Sequence, residues 1–214
     1  MAADLLERWT GLVGPGAEAV GLDLLDRWSE PYREYHDVAH LRGVLDAVDL
    51  LAEHADDLAA VRLAAWFHDA VYEGEAGADE EASAALAERV LPGVGVPGDR
   101  VAEVARLVRL TVGHDPEPGD ADGAVLCDAD LGVLGSDPEG YASYAAAVRR
   151  EYAGVPDEAF RAGRAAVLER LLALDPLYRT ATARRLWADR AAANLRGELD
   201  RLRGGASGGA GPQR

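Results

Sequence analysis

The chain has 214 residues, 49% of them apolar, enough for one sizeable core, so a single domain is the first expectation. Its formal charge of −16 argues against a nucleic-acid polymer or an anionic membrane as a broad electrostatic partner. Lysine is absent, and the lone cysteine, Cys127, leaves no disulfide framework and no cysteine zinc site.

Along the chain, apolar residues recur at three- and four-residue spacing, and no strand-like alternation persists. The opening MAADLLERWTGLVG is amphipathic and acidic, without the basic start and continuous apolar run of a signal peptide. No apolar run approaches the roughly 18 residues of a membrane span, so a cytoplasmic protein is expected. AEAVGLDLLDRWSE reads as a helix, and VAHLRGVLDAVDLLAEHA as another, with Val44, Leu45, Val48 and Leu51 on one face. DDLAAVRLAAWFHDAVY is apolar nearly all round, the pattern of a buried central helix. DEEASAALAERVL follows and stops at PGVGVPG. Asp99 then offers a cap for RVAEVARLVRLTVGH. HDPEPGDADG is a loop on composition, and AVLCDADLGVLG resumes helical spacing, with Cys127 as a small core residue. Asp137-Pro138, Pro156-Asp157 and Asp175-Pro176 each look like helix starts, and the last long helix is predicted from about Pro176 to Arg203. Residues 204–214 are a Gly-rich tail expected to be disordered. Trp9, Trp28, Trp66 and Trp187 read as core anchors. The sum is an all-α bundle of about nine or ten helices over residues 1–203.

Four of the five histidines fall between Glu34 and Glu75. His40 lies four residues after His36, so the two share a face if helix geometry reaches back through YHDVAH. His68 and Asp69 are adjacent, and side chains one residue apart on a helix diverge by about 100°. They converge only on a point lying between their directions, and a metal ion there would satisfy both. Asp128 and Asp130 sit on an apolar segment where an unpartnered carboxylate would be very costly. Two imidazoles and two carboxylates from separate helices make an octahedral site with two open positions. Mixed nitrogen and oxygen ligation suits one divalent Mn, Fe, Co, Ni or Zn, and disfavours Ca and Mg. Each fragment has an ordinary structural explanation by itself, and it is their order that points to a site.

That order, His40, then His68-Asp69, then Asp130, resembles the HD superfamily of metal-dependent phosphohydrolases, an all-α fold. The likeness is closer to one bacterial branch of it. The pieces that carry it are Arg33-Glu34-Tyr35-His36 with His40, FHDAVY from Phe67 to Tyr72, DEEASA from Asp79 to Ala84, TVGH from Thr111 to His114, LCDADLGVLG from Leu126 to Gly135, and Glu151-Tyr152. They cover residues 31–152, and more loosely the last helix. The chain departs from the pattern at Asp79, where asparagine is expected, so an amide hydrogen bond there is in question.

The resemblance implies that His40, His68, Asp69 and Asp130 are the metal ligands, with HLRGV favouring His40 over His36. His36 is then either a group behind the ligands or facing substrate, or a buried histidine bonded to a backbone carbonyl. The chemistry to expect is hydrolysis of a phosphate ester of a nucleotide or other small metabolite, since a divalent cation acidifies its water near neutral pH. Asp69 and His36 would take part in it. Asp128, Glu80 and Glu81 are candidates to orient the water, although first-turn glutamates also suit a helix dipole. Arg33, whose guanidinium could grip phosphate in two places, and Tyr72 are the candidate substrate contacts; a surface arginine is the plainer reading of Arg33. His114 is either a proton donor or phosphate contact, or a histidine at a helix C-terminus. His54 reads as surface. The alternatives are a nucleotide-binding HD sensor without catalysis and, with too few further histidines, a di-iron oxygenase. Homo-oligomerisation is left open.

Overall fold

The computed structural model describes residues 2–204, and among them the chain forms ten α-helices and no strand. The all-α expectation holds. Contacts group the chain into two compact units, residues 1–130 and 131–214. Apart from Gly204, the predicted tail falls on residues 205–214, outside the described residues. None of the described helices is long and apolar enough to cross a membrane.

The first unit holds α1 (Ala2–Val13), α2 (Glu18–Trp28), α3 (Val38–Leu50), α4 (Leu58–Phe67), α5 (Ala78–Val90), α6 (Gly98–Leu110) and α7 (Ala121–Asp130). Seven of the ten residues of α4 are buried, which is what a helix apolar on all sides requires. Its start is fixed from two directions. Asp57 accepts hydrogen bonds from the Ala59 and Ala60 N–H groups, the usual capping service to a helix N-terminus. Asp122 of α7 accepts from the Asp56 and Asp57 N–H groups and so pins the preceding turn. Trp9 and Trp66 meet edge to face with ring centroids 5.3 Å apart. Gly21 lets α2 lie directly on Trp9, since a Cβ there would stand 2.5 Å from Trp9 Cδ1. Trp9, Trp28, Trp66 and Cys127 are buried, as the sequence led us to expect.

Several predicted boundaries move. α3 begins at Val38, after Asp37 turns into extended backbone and caps it through the Ala39 and His40 N–H groups, so His36 precedes the helix. α4 ends at Phe67, short of the His-Asp pair. α6 begins at Gly98 with Pro97 before it, and Asp99 bonds only to the Arg100 N–H within the first turn.

The second unit holds a 3-10 turn (Leu131–Gly135), α8 (Pro138–Glu151), α9 (Asp157–Ala173) and α10 (Ala181–Gly204). Asp137 caps α8 through the Gly140 N–H, and Pro156 immediately precedes α9, as predicted. α10 starts five residues later than Pro176, because Thr180 Oγ1 accepts from the Ala183 N–H and sets the first turn there. The intervening Tyr178 is buried and donates its hydroxyl to the Leu131 carbonyl. Trp187 is only half-buried, packed over Gly132 and Gly135.

Candidate metal centre

The site grows out of the C-terminus of α4. The last four carbonyls of an α-helix have no partner within it, and here each finds one. Ala64 O accepts the His68 N–H and Phe67 O accepts the Ala70 N–H. Ala65 O takes the His68 ring at Nδ1, 2.9 Å away, and Trp66 O takes the Trp28 indole N–H at 3.0 Å. Ending the helix therefore also sets the His68 ring. A carbonyl only accepts, so Nδ1 carries the hydrogen and Nε2 is turned inward.

His68 Nε2 faces His40 Nε2 from the first turn of α3 and Asp130 Oδ1 from the end of α7. The separations are 3.2 Å between the nitrogens, 3.1 Å from His40 to Asp130 and 3.6 Å from His68 to Asp130. Ligands about 2.1 Å from one cation stand about 3.0 Å apart at right angles and about 3.4 Å apart at tetrahedral angles. The observed spacings are therefore those of a coordination polyhedron, and His40, His68 and Asp130 could hold a metal ion. Asp69 Oδ2 stands next to them, 3.3 Å from His68 Nε2 and 3.7 Å from His40 Nε2. Trp28 forms a wall, its ring 5.3 Å from that of His68 and 6.1 Å from that of His40.

Charge in this cluster is unbalanced toward the carboxylates. Burial would raise the Asp69 pKa, but the charges of His68 and His36 pull it well below the ordinary carboxyl range. Burial opposes ionisation of Asp130 too, and His68, His114 and His40 outweigh it. His68 is the converse case: burial disfavours its charged form, yet Asp69 and Asp130 hold its pKa well above the usual imidazole value. The cluster thus draws in positive charge, which a proton or a metal cation can supply.

The other candidate residues divide. His36 lies at the edge of the cluster, its ring 5.6 Å from that of His40 and stacked on Tyr72 at 4.3 Å. His114 reaches the centre, with Nε2 2.7 Å from Asp130 Oδ2. Asp128 is wholly buried on α7, and positions two apart on a helix diverge by about 200°, so it leaves the helix on another side from Asp130. Glu80 is spent on the start of α5, where it accepts the Gly77 N–H. Glu81 is exposed and grips Arg109 with both oxygens. Neither glutamate is placed to orient water at the cluster, because helix capping and an arginine across the surface claim them.

Arg33 is the clearest correction. Its side chain is 0% exposed, and its nitrogens donate to Glu30, to the His36 carbonyl and to the Asp69 carbonyl. Its guanidinium lies against the rings of Trp28, Tyr32 and Tyr72. A guanidinium so enclosed fastens the loop carrying His36 to the turn carrying Asp69, and does not grip phosphate. Arg33→Lys is accordingly expected to lose about 1–3 kcal/mol of stability, because one ammonium cannot reach all these acceptors. Thermal melts beside Michaelis kinetics check it: a raised KM for phosphoester with an unchanged melt would restore the clamp.

Asp79 was suspect on sequence because asparagine was expected. The structure gives the carboxylate its own role: Oδ2 accepts from the Glu73, Gly74 and Glu75 N–H groups, closing the loop after the His-Asp turn. An acid in the first turn behind a glycine-containing loop was the available signal. His54 sits near Glu53, away from the cluster.

No protein-family model, curated protein or solved structure matches this chain.

Proposed function

We propose that this protein is a metal-dependent phosphohydrolase of HD type, acting on a phosphate ester of a nucleotide or other small metabolite. The observation that carries the reading is the convergence of His40 Nε2, His68 Nε2 and Asp130 Oδ1 at ligand-to-ligand distances. Asp69, within 3.3 Å of His68 Nε2, is the fourth ligand of this reading. The order of His40, His68-Asp69 and Asp130 along the chain, which resembles that of the HD superfamily, adds support from the sequence.

A divalent transition metal bound there supplies Lewis acidity, acidifying water and neutralising charge on the phosphoryl group. The chain's part is to hold that centre. The Ala65 carbonyl keeps the His68 Nδ1–H engaged so that Nε2 points inward, and such outer contacts orient a ligand. Trp28 keeps one side apolar, which strengthens electrostatic interactions inside. His36, its ring 5.6 Å from that of His40, stacks on Tyr72, and the pair offers an aromatic surface to a substrate. With Arg33 enclosed, neutralisation of the phosphate falls to the metal.

Protein purified without chelator is expected to carry about one transition metal per chain, to melt at a lower temperature after EDTA, and to hydrolyse some phosphomonoester or diester when Mn, Co or Ni is restored. Metal at about 100 times its Kd stabilises by about 2.7 kcal/mol. Metal analysis, melts and a substrate panel read all three. No metal-dependent turnover across a broad panel would sink the enzymatic reading, tight nucleotide binding without turnover would favour a sensor, and two irons per chain would favour an oxygenase.

A further inference from the structure

We propose, resting on the metal reading above, that His114 is a positioning residue that holds Asp130 as a one-oxygen ligand. The two oxygens of Asp130 face different partners. Oδ1 points at the imidazoles, 3.1 Å from His40 Nε2 and 3.6 Å from His68 Nε2. Oδ2 is 2.7 Å from His114 Nε2. An ionised carboxylate only accepts, so Nε2 is the ring nitrogen that donates. With Oδ2 engaged in a charge-assisted hydrogen bond, chelation of a metal by both oxygens would break that bond. Asp130 then occupies one coordination position, and the position a second oxygen would take stays open.

Two features of His114 are more than the chain needs of a residue following α6. Its φ is 53°, and it is the only non-glycine residue with positive φ among the described residues. Glycine or asparagine suits such a position after a helix far better, and Gly113 stands immediately before it. Its Nδ1 is also buried without a hydrogen-bond partner, so the ring's hydrogen bond is the one to Asp130. Strained backbone and an unsatisfied buried nitrogen persist where surrounding structure serves a function. Here the left-handed turn at the end of α6 is what carries the ring across to α7.

The test is Co(II) titration of the full chain, followed by visible absorption, for the wild type, His114→Gly and His114→Gln. Glycine is at home at positive φ, so His114→Gly keeps the fold, as a thermal melt verifies, while deleting the donor. It is expected to bind Co(II) about 10- to 100-fold more weakly, with an altered visible band as Asp130 becomes free to chelate. His114→Gln can present an N–H to the same oxygen and is expected to recover most of the affinity and the band shape. His114→Gly with wild-type affinity and spectrum would overturn the proposal alone. His114→Gln no better than His114→Gly would also overturn it, since the hydrogen bond would not be the cause. Failure of the wild type to bind Co(II) would overturn the metal reading and take this proposal with it.

Discussion

Asp69→Ala is expected to abolish metal-dependent phosphoester hydrolysis and to weaken metal binding by more than about 100-fold. Groups that merely orient a ligand already contribute 10- to 100-fold to affinity, and Asp69 Oδ2 itself borders the His68 and His40 nitrogens at 3.3 and 3.7 Å. His40→Ala, His68→Ala and Asp130→Ala belong to the same class. The fold tolerates Asp69→Ala because the contact that secures this turn is made by the Asp69 backbone carbonyl, which accepts from Arg33. Calorimetric metal titration with a melt of the same sample separates lost ligation from lost folding. Glu80→Ala and Glu81→Ala serve as contrasts, expected to leave turnover within about twofold, since one caps α5 and the other pairs with Arg109 on the surface. Asp69→Ala retaining turnover within tenfold of wild type would remove it from the ligand set.

The residues that converge on the cluster were legible in the sequence because a carboxylate or imidazole on an apolar segment needs a partner, and three such segments occur in one order. Helix existence was legible for the same reason that α4 is: its apolar residues surround the axis. Ends were less so. The predicted helix through FHDAVY stops at Phe67, where one of its last carbonyls, Trp66 O, is claimed by Trp28 from 38 residues back. Periodicity carries no trace of that. Arg33 misled in the same way, since its donors are taken by carbonyls as distant as Asp69, 36 residues on. Asp37 was closer at hand: an aspartate before an apolar run is a capping signal, and reading it as the cap of α3 would have placed His36 outside the helix. The His114–Asp130 contact depends on a positive φ at a histidine, uncommon outside glycine and unmarked by the spacing of apolar residues.

Arg164→Met is expected to cost about 3–5 kcal/mol at neutral pH, the largest stability effect foreseen in the second unit. Arg164 and Glu198 are 7% and 9% exposed, with Arg164 Nε 2.8 Å from Glu198 Oε1, and the Tyr141 hydroxyl also donates to Glu198. Burial alone would push the Glu198 carboxyl up, but Arg164 and Tyr141 hold it below its usual range. A depressed pKa contributes stability above the unfolded value of about 4.3, and that stability is lost as pH falls through the folded value. Without Arg164 the sign reverses: burial dominates, the carboxyl titrates above its unfolded value, and acid relieves the uncompensated charge. The gap between wild type and Arg164→Met should therefore be widest near pH 7 and shrink toward pH 4. Adding Glu198→Gln should recover most of the loss, because the buried charge goes with it. Urea unfolding of the three proteins at both pH values reads this directly. A gap independent of pH would mean that Arg164 acts through its contact with Tyr144, where its guanidinium lies 5.1 Å from the ring, and not through the charge it shares with Glu198.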